Sequence, residues 1–97
     1  GPIRFTAEFD RTFLNATRDV IVTDPVWNRR LTVKRSGSRS TVVWNPWIAK
    51  STSLADLGAE AWPNFVCVEA TNAADDAVTI PRGSKWELGT TVSVVAT

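Results

Sequence analysis

The sequence predicts an all-β protein, an antiparallel sandwich of about seven short strands joined by turns and one long loop. Two features lead to this prediction. The chain contains short runs in which apolar and polar residues alternate with the period of two expected for strands, and other short runs that are rich in β-branched residues. Each run ends at turn-forming residues such as Pro, Gly, Asn and Asp, as strands in small β domains commonly do.

The first strand is predicted at residues 3–9, where the alternation of apolar and polar side chains is clearest. The other strands are expected at 19–24, 29–36, 40–45, 64–71, 76–80 and 85–96. Pro25 and Pro46 end two of them, because proline cannot donate to a strand ladder. The run at 29–36 alternates regularly, so one of its faces should be solvated.

Residues 46–64 interrupt this rhythm with an irregular pattern and at most one helical turn near residues 47–51. Loops of this length inside compact domains are usually functional or disordered. Trp44, Trp47 and Trp62 lie in or beside this loop, and such aromatic content argues against disorder. The sequence therefore predicts an ordered, functional loop.

Length and charge set limits on the function. The 97 residues suffice for one small domain, residues 1–97, or for a fragment of a larger one. The 11 basic and 10 acidic residues leave a net charge of +1, which gives no electrostatic reason to expect nucleic acid or an anionic membrane as a partner. No apolar run is long enough for a membrane span, so we expect a soluble, cytoplasmic protein.

Three absent or rare residue types restrict the chemistry. The chain has no histidine and a single cysteine, Cys67, which excludes Ser-His-Asp and Cys-His catalysis and a cysteine-based metal cage within it. Cys67 itself is expected to be a small core residue. The chain also has no methionine, and Gly1-Pro2 resembles the pair left by removal of an expression tag, so we expect a fragment; natural processing is the alternative.

Glu69 is the first candidate for a functional residue. It follows an apolar run, residues 65–68, that would cover both faces of a strand, and the period of two places it on the same face as Phe65 and Cys67. A carboxylate in such a position commonly pairs with an arginine. The alternative is a general base tuned by partial burial. The residues alone leave both interpretations open.

Two further candidates, Asp10 and the stretch from Trp44 to Trp47, each have a structural alternative. Asp10 follows the first predicted strand and fits a turn residue that bonds its own backbone, or a carboxylate that accepts a hydrogen bond from a hydroxylated ligand. The stretch Trp44-Asn45-Pro46-Trp47 fits a piece of core. It also fits an aromatic wall for a sugar ring, with Asn45 supplying the polar contact that orients the sugar.

The basic residues of the chain are expected to be solvated. Arg29, Arg30, Lys34, Arg35 and Arg39 most simply form the wet face of one strand and its turn. Binding of a phosphate is the alternative, since arginine recognises phosphate bidentately. Lys50 and Asp56, in the long loop, are expected at the surface.

Three stretches, "DRTFLN", "VVWNPWIAKSTSLADLG" and "NFVCVEATN", resemble the C-terminal part of the glucose-6-phosphate 1-epimerase family, also called hexose-6-phosphate mutarotases. Their order and spacing also fit, and "IPRGSKWELGTTVSVV" is similar to the last hairpin of the family. The resemblance covers nearly the whole chain from Phe5 onward. It implies the C-terminal part of a galactose-mutarotase-like β-supersandwich, in the aldose-1-epimerase-like superfamily.

The resemblance also implies an activity, the interconversion of the α and β anomers of hexose 6-phosphates without a metal or organic cofactor. Glu69 matches the catalytic glutamate of the family, which takes the proton from the anomeric hydroxyl while a histidine protonates the ring oxygen. Asp10 matches a substrate-binding aspartate, and Trp44 and Asn45 would lie near the pocket.

The chain departs from the family in lacking that histidine, which belongs to an upstream segment together with most of the phosphate-binding arginines. We therefore expect little activity from the chain alone. Its expected partners are a hexose 6-phosphate and either the missing N-terminal part or a second copy that covers exposed strand edges. Two alternatives stay open: a non-catalytic carbohydrate-binding β domain that uses Trp44 and Trp47, and a truncated, self-associating fold.

Overall fold

The computed structural model describes residues 2–97, which form six β-strands, one short α-helix and two 3-10 helices. The strands are β1 (Phe9–Leu14), β2 (Val20–Asp24), β3 (Arg29–Ser36), β4 (Ser40–Asn45), β5 (Cys67–Thr71) and β6 (Gly89–Ala96). The helix α1 spans Trp47–Ser53, and the 3-10 helices span Trp62–Asn64 and Ala74–Asp76. Within residues 2–97 no helix has the length and apolarity needed to cross a bilayer. The prediction of an all-β protein is confirmed.

The strands form two antiparallel sheets of three strands each. The first sheet has the order β1-β4-β5 and the second the order β2-β3-β6, so β4 and β3 are the central strands. The tight connection between β2 and β3 is closed by an ion pair in which Arg29 Nε lies 2.8 Å from Asp24 Oδ2. The two sheets give the antiparallel sandwich that the sequence predicts.

The buried aliphatic core is small and lies where the two sheets meet. Val43 in β4 and Val33 in β3 are 6% and 5% exposed. Beside them, residues of both sheets, among them Phe13, Val20 and Thr41, line an open cleft of about 420 Å³. Many other apolar side chains stay exposed, which limits the hydrophobic stabilisation of these 97 residues.

A buried hydroxyl and a half-buried carboxylate hold one end of β4 against the chain that follows β5. Ser40 is fully buried, and its hydroxyl lies 2.7 Å from the carbonyl oxygen of Thr71 and 3.1 Å from Asp76 Oδ2. The backbone N–H of Arg39 donates to the same Asp76 oxygen at 2.7 Å. This backbone hydrogen bond, helped by Ser40 and Asn72, holds the pKa of Asp76 below its ordinary value, against a smaller opposing effect of burial.

The first strand is not where the sequence predicted it. Residues 3–8 form no strand, and β1 begins at Phe9, where the predicted strand ends. The position of β1 is decided by its pairing with β4, from Phe9 opposite Asn45 to Leu14 opposite Ser40. Alternation within residues 3–9 could not show this, because the pairing partner lies far along the chain.

The last predicted strands are also corrected. Residues 76–80 form no strand, and the side chain of Asp76 accepts hydrogen bonds at the junction instead. Strand β6 starts at Gly89 rather than at residue 85. Trp86, in the segment before it, contacts the turn after β3 instead: its indole N–H donates to the Gly37 carbonyl oxygen at 3.2 Å. The helical turn expected near residues 47–51 is confirmed by α1.

Replacing Asp76 with Asn should make the protein less sensitive to acid. A carboxylate with a lowered pKa stabilises the folded state above its ordinary pKa of 3.8, and this contribution is lost as the pH falls through the lower folded-state value. Asp76→Asn should therefore be less stable than the wild type at neutral pH and approach it in acid. Urea unfolding between about pH 2 and pH 7 measures this difference.

The neighbouring Asp75→Asn is the control, because Asp75 is an exposed carboxylate outside the hydrogen bonds described above. An Asp76→Asn curve with the same pH dependence as Asp75→Asn would contradict the assignment of this junction.

Candidate active site

The register of the first sheet brings three of the sequence-predicted residues to one face. Trp44 in β4 lies opposite Asp10 in β1 and opposite Cys67 in β5, and Val42 lies opposite Glu69. Directly opposed residues share a face of the sheet, and so do residues two positions apart on one strand. Asp10, Trp44 and Glu69 are therefore on the same side, which we call the Glu69 face. The name is used for Asp10, Thr12, Val42, Trp44, Cys67 and Glu69; Leu14, Ser40 and Thr71 continue the same side at the other end of the sheet.

Trp44 lies between the two carboxylates on this face. Asp10 is its direct neighbour across the strand pair, with Cβ atoms about 5 Å apart, and Glu69 is its diagonal neighbour at about 7–8 Å. From strand spacing and rise, the Cα atoms of Asp10 and Glu69 are roughly 12 Å apart. The arrangement places one carboxylate on each side of an aromatic ring.

Glu69 is exposed to solvent in residues 2–97, so the expectation of partial burial is wrong there. Its shared face with Cys67 is confirmed by the register. The ion pairs among the described residues are Asp24–Arg29 and Glu8–Lys50, and Glu69 takes part in neither. The structure thus does not support the interpretation of Glu69 as half of a salt bridge.

The thiol of Cys67 reports on the surroundings of Glu69. Cys67 is half-buried, and burial raises the pKa of its thiol, with a further contribution from the negative charge of Glu69. The thiol is therefore held in its protonated form at neutral pH, as expected for a core residue rather than a nucleophile.

Trp44 and Asp10 are presented by strands rather than by turns. The Trp44 ring packs against Phe65, with centroids 5.9 Å apart and planes inclined at 55°, and the residue is half-buried. Asp10 lies inside β1 and is exposed, so the interpretation of it as a turn residue is wrong. An exposed carboxylate beside a partly exposed indole can contact a hydroxylated ligand.

Asn45 occupies the opposite side of the sheet and is 2% exposed. Its amide nitrogen donates to the carbonyl oxygens of Trp62 at 2.8 Å and Phe65 at 2.9 Å, and its oxygen accepts the backbone N–H of Trp47 at 2.9 Å. Both N–H donors are thus committed to the protein. This geometry differs from the expected orienting contact between Asn45 and a sugar.

The structure contains an ion pair near Asp10, between Glu8 and Lys50, that the sequence pattern did not predict. Lys50 Nζ in α1 lies 2.8 Å from Glu8 Oε1, and the hydrogen bond that the Lys50 ammonium donates to Glu8, with a smaller effect of the Asp10 charge, raises the pKa of Lys50. Lys50 is therefore more than a solvated loop residue, because it fastens α1 to the chain entering β1. The two partners are too far apart in sequence for periodicity to reveal them.

The arginine cluster is not part of the Glu69 face. Arg29 pairs with Asp24, and the guanidinium of Arg35 donates to the carbonyl oxygens of Ala16 and Arg18. Both arginines lie on β3, in the second sheet. Arg29 and Arg35 are therefore bonded within the protein, Arg35 through Nη2 alone, since its Nε and Nη1 are buried without a partner.

The cleft between the sheets and the carboxylates of Asp10 and Glu69 lie on different sides of the first sheet. The cleft includes Thr41 and Val43, which alternate along β4 with the residues of the Glu69 face. We place the candidate site on the Glu69 face, because acid–base chemistry can use its two carboxylates, whereas most of the exposed surface in the cleft is apolar, although Asp19 also lines it. Across residues 2–97, no three Cys, Asp or Glu side chains are grouped as metal ligands.

Comparison with known proteins shows the family to which the chain belongs. The sequence matches the family model described as aldose 1-epimerase over residues 1–93. A protein of Cenchrus ciliaris is 31% identical over 84 residues, which are 87% of this chain and 25% of that protein. Proteins of Escherichia coli K12 and Salmonella typhimurium LT2 are 32% and 33% identical over 71 and 69 residues, covering 73% and 71% of this chain and 24% of each relative.

All three relatives are provisionally named glucose-6-phosphate 1-epimerase. The chain spans about a quarter of the length of these curated relatives. No solved structure matches the chain significantly.

The position of Glu69 beside Cys67 can be tested through the thiol. Glu69→Gln removes a negative charge that raises the Cys67 pKa, so the variant thiol should ionise at lower pH. The shift should be only part of the total, because burial is the larger cause. The rate of alkylation by iodoacetamide, measured against pH, gives this midpoint, since the thiolate is the reacting form.

Glu60→Gln is the matched control, an exposed glutamate in the long loop. Equal alkylation midpoints for Glu69→Gln and Glu60→Gln would show that the Glu69 carboxylate does not act on Cys67.

Proposed function

Because this chain belongs to the aldose 1-epimerase family, we propose that it contributes the general base and one wall of the substrate site to an enzyme that interconverts the anomers of hexose 6-phosphates. The supporting observation is the placement of Glu69, Trp44 and Asp10 on one face of a sheet. Family membership supports the mutarotase class. The choice of a hexose 6-phosphate follows the names of the three relatives, and this substrate favours a cytoplasmic location.

Glu69 is proposed as the base. Ring opening removes the proton from the hydroxyl at C1, breaks the bond between C1 and the ring oxygen, and adds a proton to that oxygen. The resulting aldehyde can rotate about the C1–C2 bond and close again to either anomer, with both proton transfers reversed. The Glu69 carboxylate is in neither ion pair of the described residues and faces solvent, so its oxygens are accessible to a substrate hydroxyl.

Trp44 and Asp10 are proposed to hold the sugar. The exposed part of the Trp44 indole is a flat apolar surface on which the C–H groups of a hexose can lie. Asp10, directly across the strand pair, accepts a hydrogen bond from a sugar hydroxyl. A hexose lying over Trp44 would then have its reacting end toward Glu69 and its far hydroxyls toward Asp10.

The acid that protonates the ring oxygen is proposed to come from another segment of the family domain. The chain has no histidine, and its arginines on β3 belong to the second sheet. The groups that bind the phosphate are assigned to the same outside segment. The chain by itself is therefore expected to bind weakly and to turn over little.

Activity can be measured in a chimera in which this chain replaces the matching quarter of the Escherichia coli relative. Exchange between the anomers of glucose 6-phosphate is followed by magnetisation-transfer NMR. The chimera should catalyse exchange, and Glu69→Gln should reduce kcat by about 100- to 10,000-fold, the usual contribution of a general base. Glu60→Gln is the control and should retain the rate.

A folded chimera whose exchange is equally fast with Glu69→Gln and with Glu60→Gln would contradict the proposal. A folded chimera without any exchange would contradict it as well. The 97-residue chain measured alone gives the background rate.

A non-catalytic carbohydrate-binding domain is the second candidate, favoured by the partly exposed Trp44 ring. It differs from the first in its response to two substitutions. If the chain only binds sugar, Trp44→Ala abolishes binding and Glu69→Gln changes neither binding nor the background exchange. Titration of glucose 6-phosphate into the chain, followed by tryptophan fluorescence, distinguishes the two.

A further inference from the structure

We infer that Asn45 is a positioning residue, which sets the site geometry from the buried side of the sheet through the backbone that enters β5. The meaning of this role for catalysis rests on the proposed function of Glu69. The geometry itself does not depend on that proposal.

Asn45 joins three separate points of the chain with one side chain. It lies at the end of β4 and contacts the backbone 2, 17 and 20 residues further on, at Trp47, Trp62 and Phe65. A primary amide offers two N–H donors and an acceptor oxygen in one plane, and all three are used here at 2.8–2.9 Å. Because the residue is buried, water cannot replace a lost bond without rearrangement.

The first contact holds an unusual backbone conformation. Trp47 has φ of 59°, in the left-handed region that bulky residues rarely occupy, and its N–H is the group that Asn45 accepts. The Trp47 ring packs on Trp62 with centroids 4.2 Å apart. Since Asn45 also bonds the carbonyl of Trp62, it fixes both members of this aromatic pair.

The contact with Phe65 connects Asn45 to the Glu69 face. The carbonyl of Phe65 is held by Asn45, while its ring packs against Trp44 on the other side. Two residues later Cys67 pairs with Trp44, and two more bring the chain to Glu69. A displacement of the backbone at Phe65 would therefore move the aromatic wall and the base together.

Asn45 cannot act on a ligand directly in this arrangement. Its side chain lies opposite the Glu69 face, and both of its N–H groups are donated to carbonyl oxygens of the protein. Its effect on the site must pass through the loop and the start of β5.

The test uses Asn45→Asp, which keeps the shape and the acceptor for Trp47 but removes the donors to Trp62 and Phe65. Asn64→Asp is the matched control: the same chemical change in the same loop, at an exposed residue whose side chain makes a single bond, 3.4 Å to the carbonyl oxygen of Glu60. Two-dimensional ¹⁵N NMR of the 97-residue chain is recorded for each. We expect Asn45→Asp to shift the indole signals of Trp47 and Trp62 and the amide signals of residues 65–69. The amides of β2, β3 and β6 should stay in place, and Asn64→Asp should leave the two indole signals and the amides of residues 67–69 unchanged, since its effect is confined to its immediate neighbours.

In the chimera, Asn45→Asp should lower kcat by about 100-fold, the cost of misplacing a reacting group by roughly 1 Å, while the pH profile keeps its shape. A residue that only stabilises the fold would lower the melting temperature without changing kcat per folded molecule. Unchanged signals at residues 65–69, or an unchanged kcat in a chimera that Glu69→Gln inactivates, would overturn the inference.

If Asn45→Asp does not fold, the wild-type chain still decides the matter. The first N–H groups of a helix normally lack a partner and exchange quickly with solvent. The Trp47 amide and both side-chain hydrogens of Asn45 should instead be protected, unlike the amide of Ile48. Fast exchange of the Trp47 amide would overturn the inference. If Glu69→Gln leaves anomer exchange intact while these protections are observed, the proposed function fails and the positioning of the loop stands.

Discussion

The pairing of β4 with strands on both of its sides is the constraint from which the arrangement of the first sheet follows. β4 contacts β1 along its full length and β5 along most of it, and Val43 and Thr41 point from it into the buried side. Trp44 and Val42 necessarily point the other way. A slip of one residue would exchange the two sets, so burial of Val43 also fixes which carboxylates share a face with Trp44. The core and the candidate site are set by one register.

The two ends of β4 hold the two irregular segments that flank β5. At the start, Ser40 bonds the carbonyl of Thr71 and the carboxylate of Asp76, which follow β5. At the end, Asn45 bonds the carbonyls of Trp62 and Phe65, which precede it. Both side chains are buried and polar, so an alternative loop position would leave their hydrogen-bonding groups unpaired. In a protein with so small an aliphatic core, these polar junctions account for much of the specificity of the fold.

What could be predicted from sequence is what depends on neighbouring residues. The alternation in residues 64–71 correctly put Glu69 and Cys67 on one face, and Pro46 correctly ended β4. The predicted position of the first strand and the predicted partial burial of Glu69 were wrong, because each depends on which distant segments pair with the strand or cover it. The role of Asn45 could not be seen at all: its partners lie 17 and 20 residues away, and nothing in a Trp-Asn-Pro-Trp stretch specifies them.

The exposure of Glu69 has a chemical consequence. An acid–base reaction on a sugar gains most from a site that excludes water, because electrostatic interactions between the protein and the substrate are stronger there. Among residues 2–97, the Glu69 face carries an indole ring and the carboxylates of Glu69 and Asp10, and it is open to solvent at both carboxylates. The chain corresponds to a quarter of its relatives' length, and the proposed enzyme would need a further surface that closes this face as well as an acid. A Glu69 held in register by β4 would then become an effective base only when this face is closed.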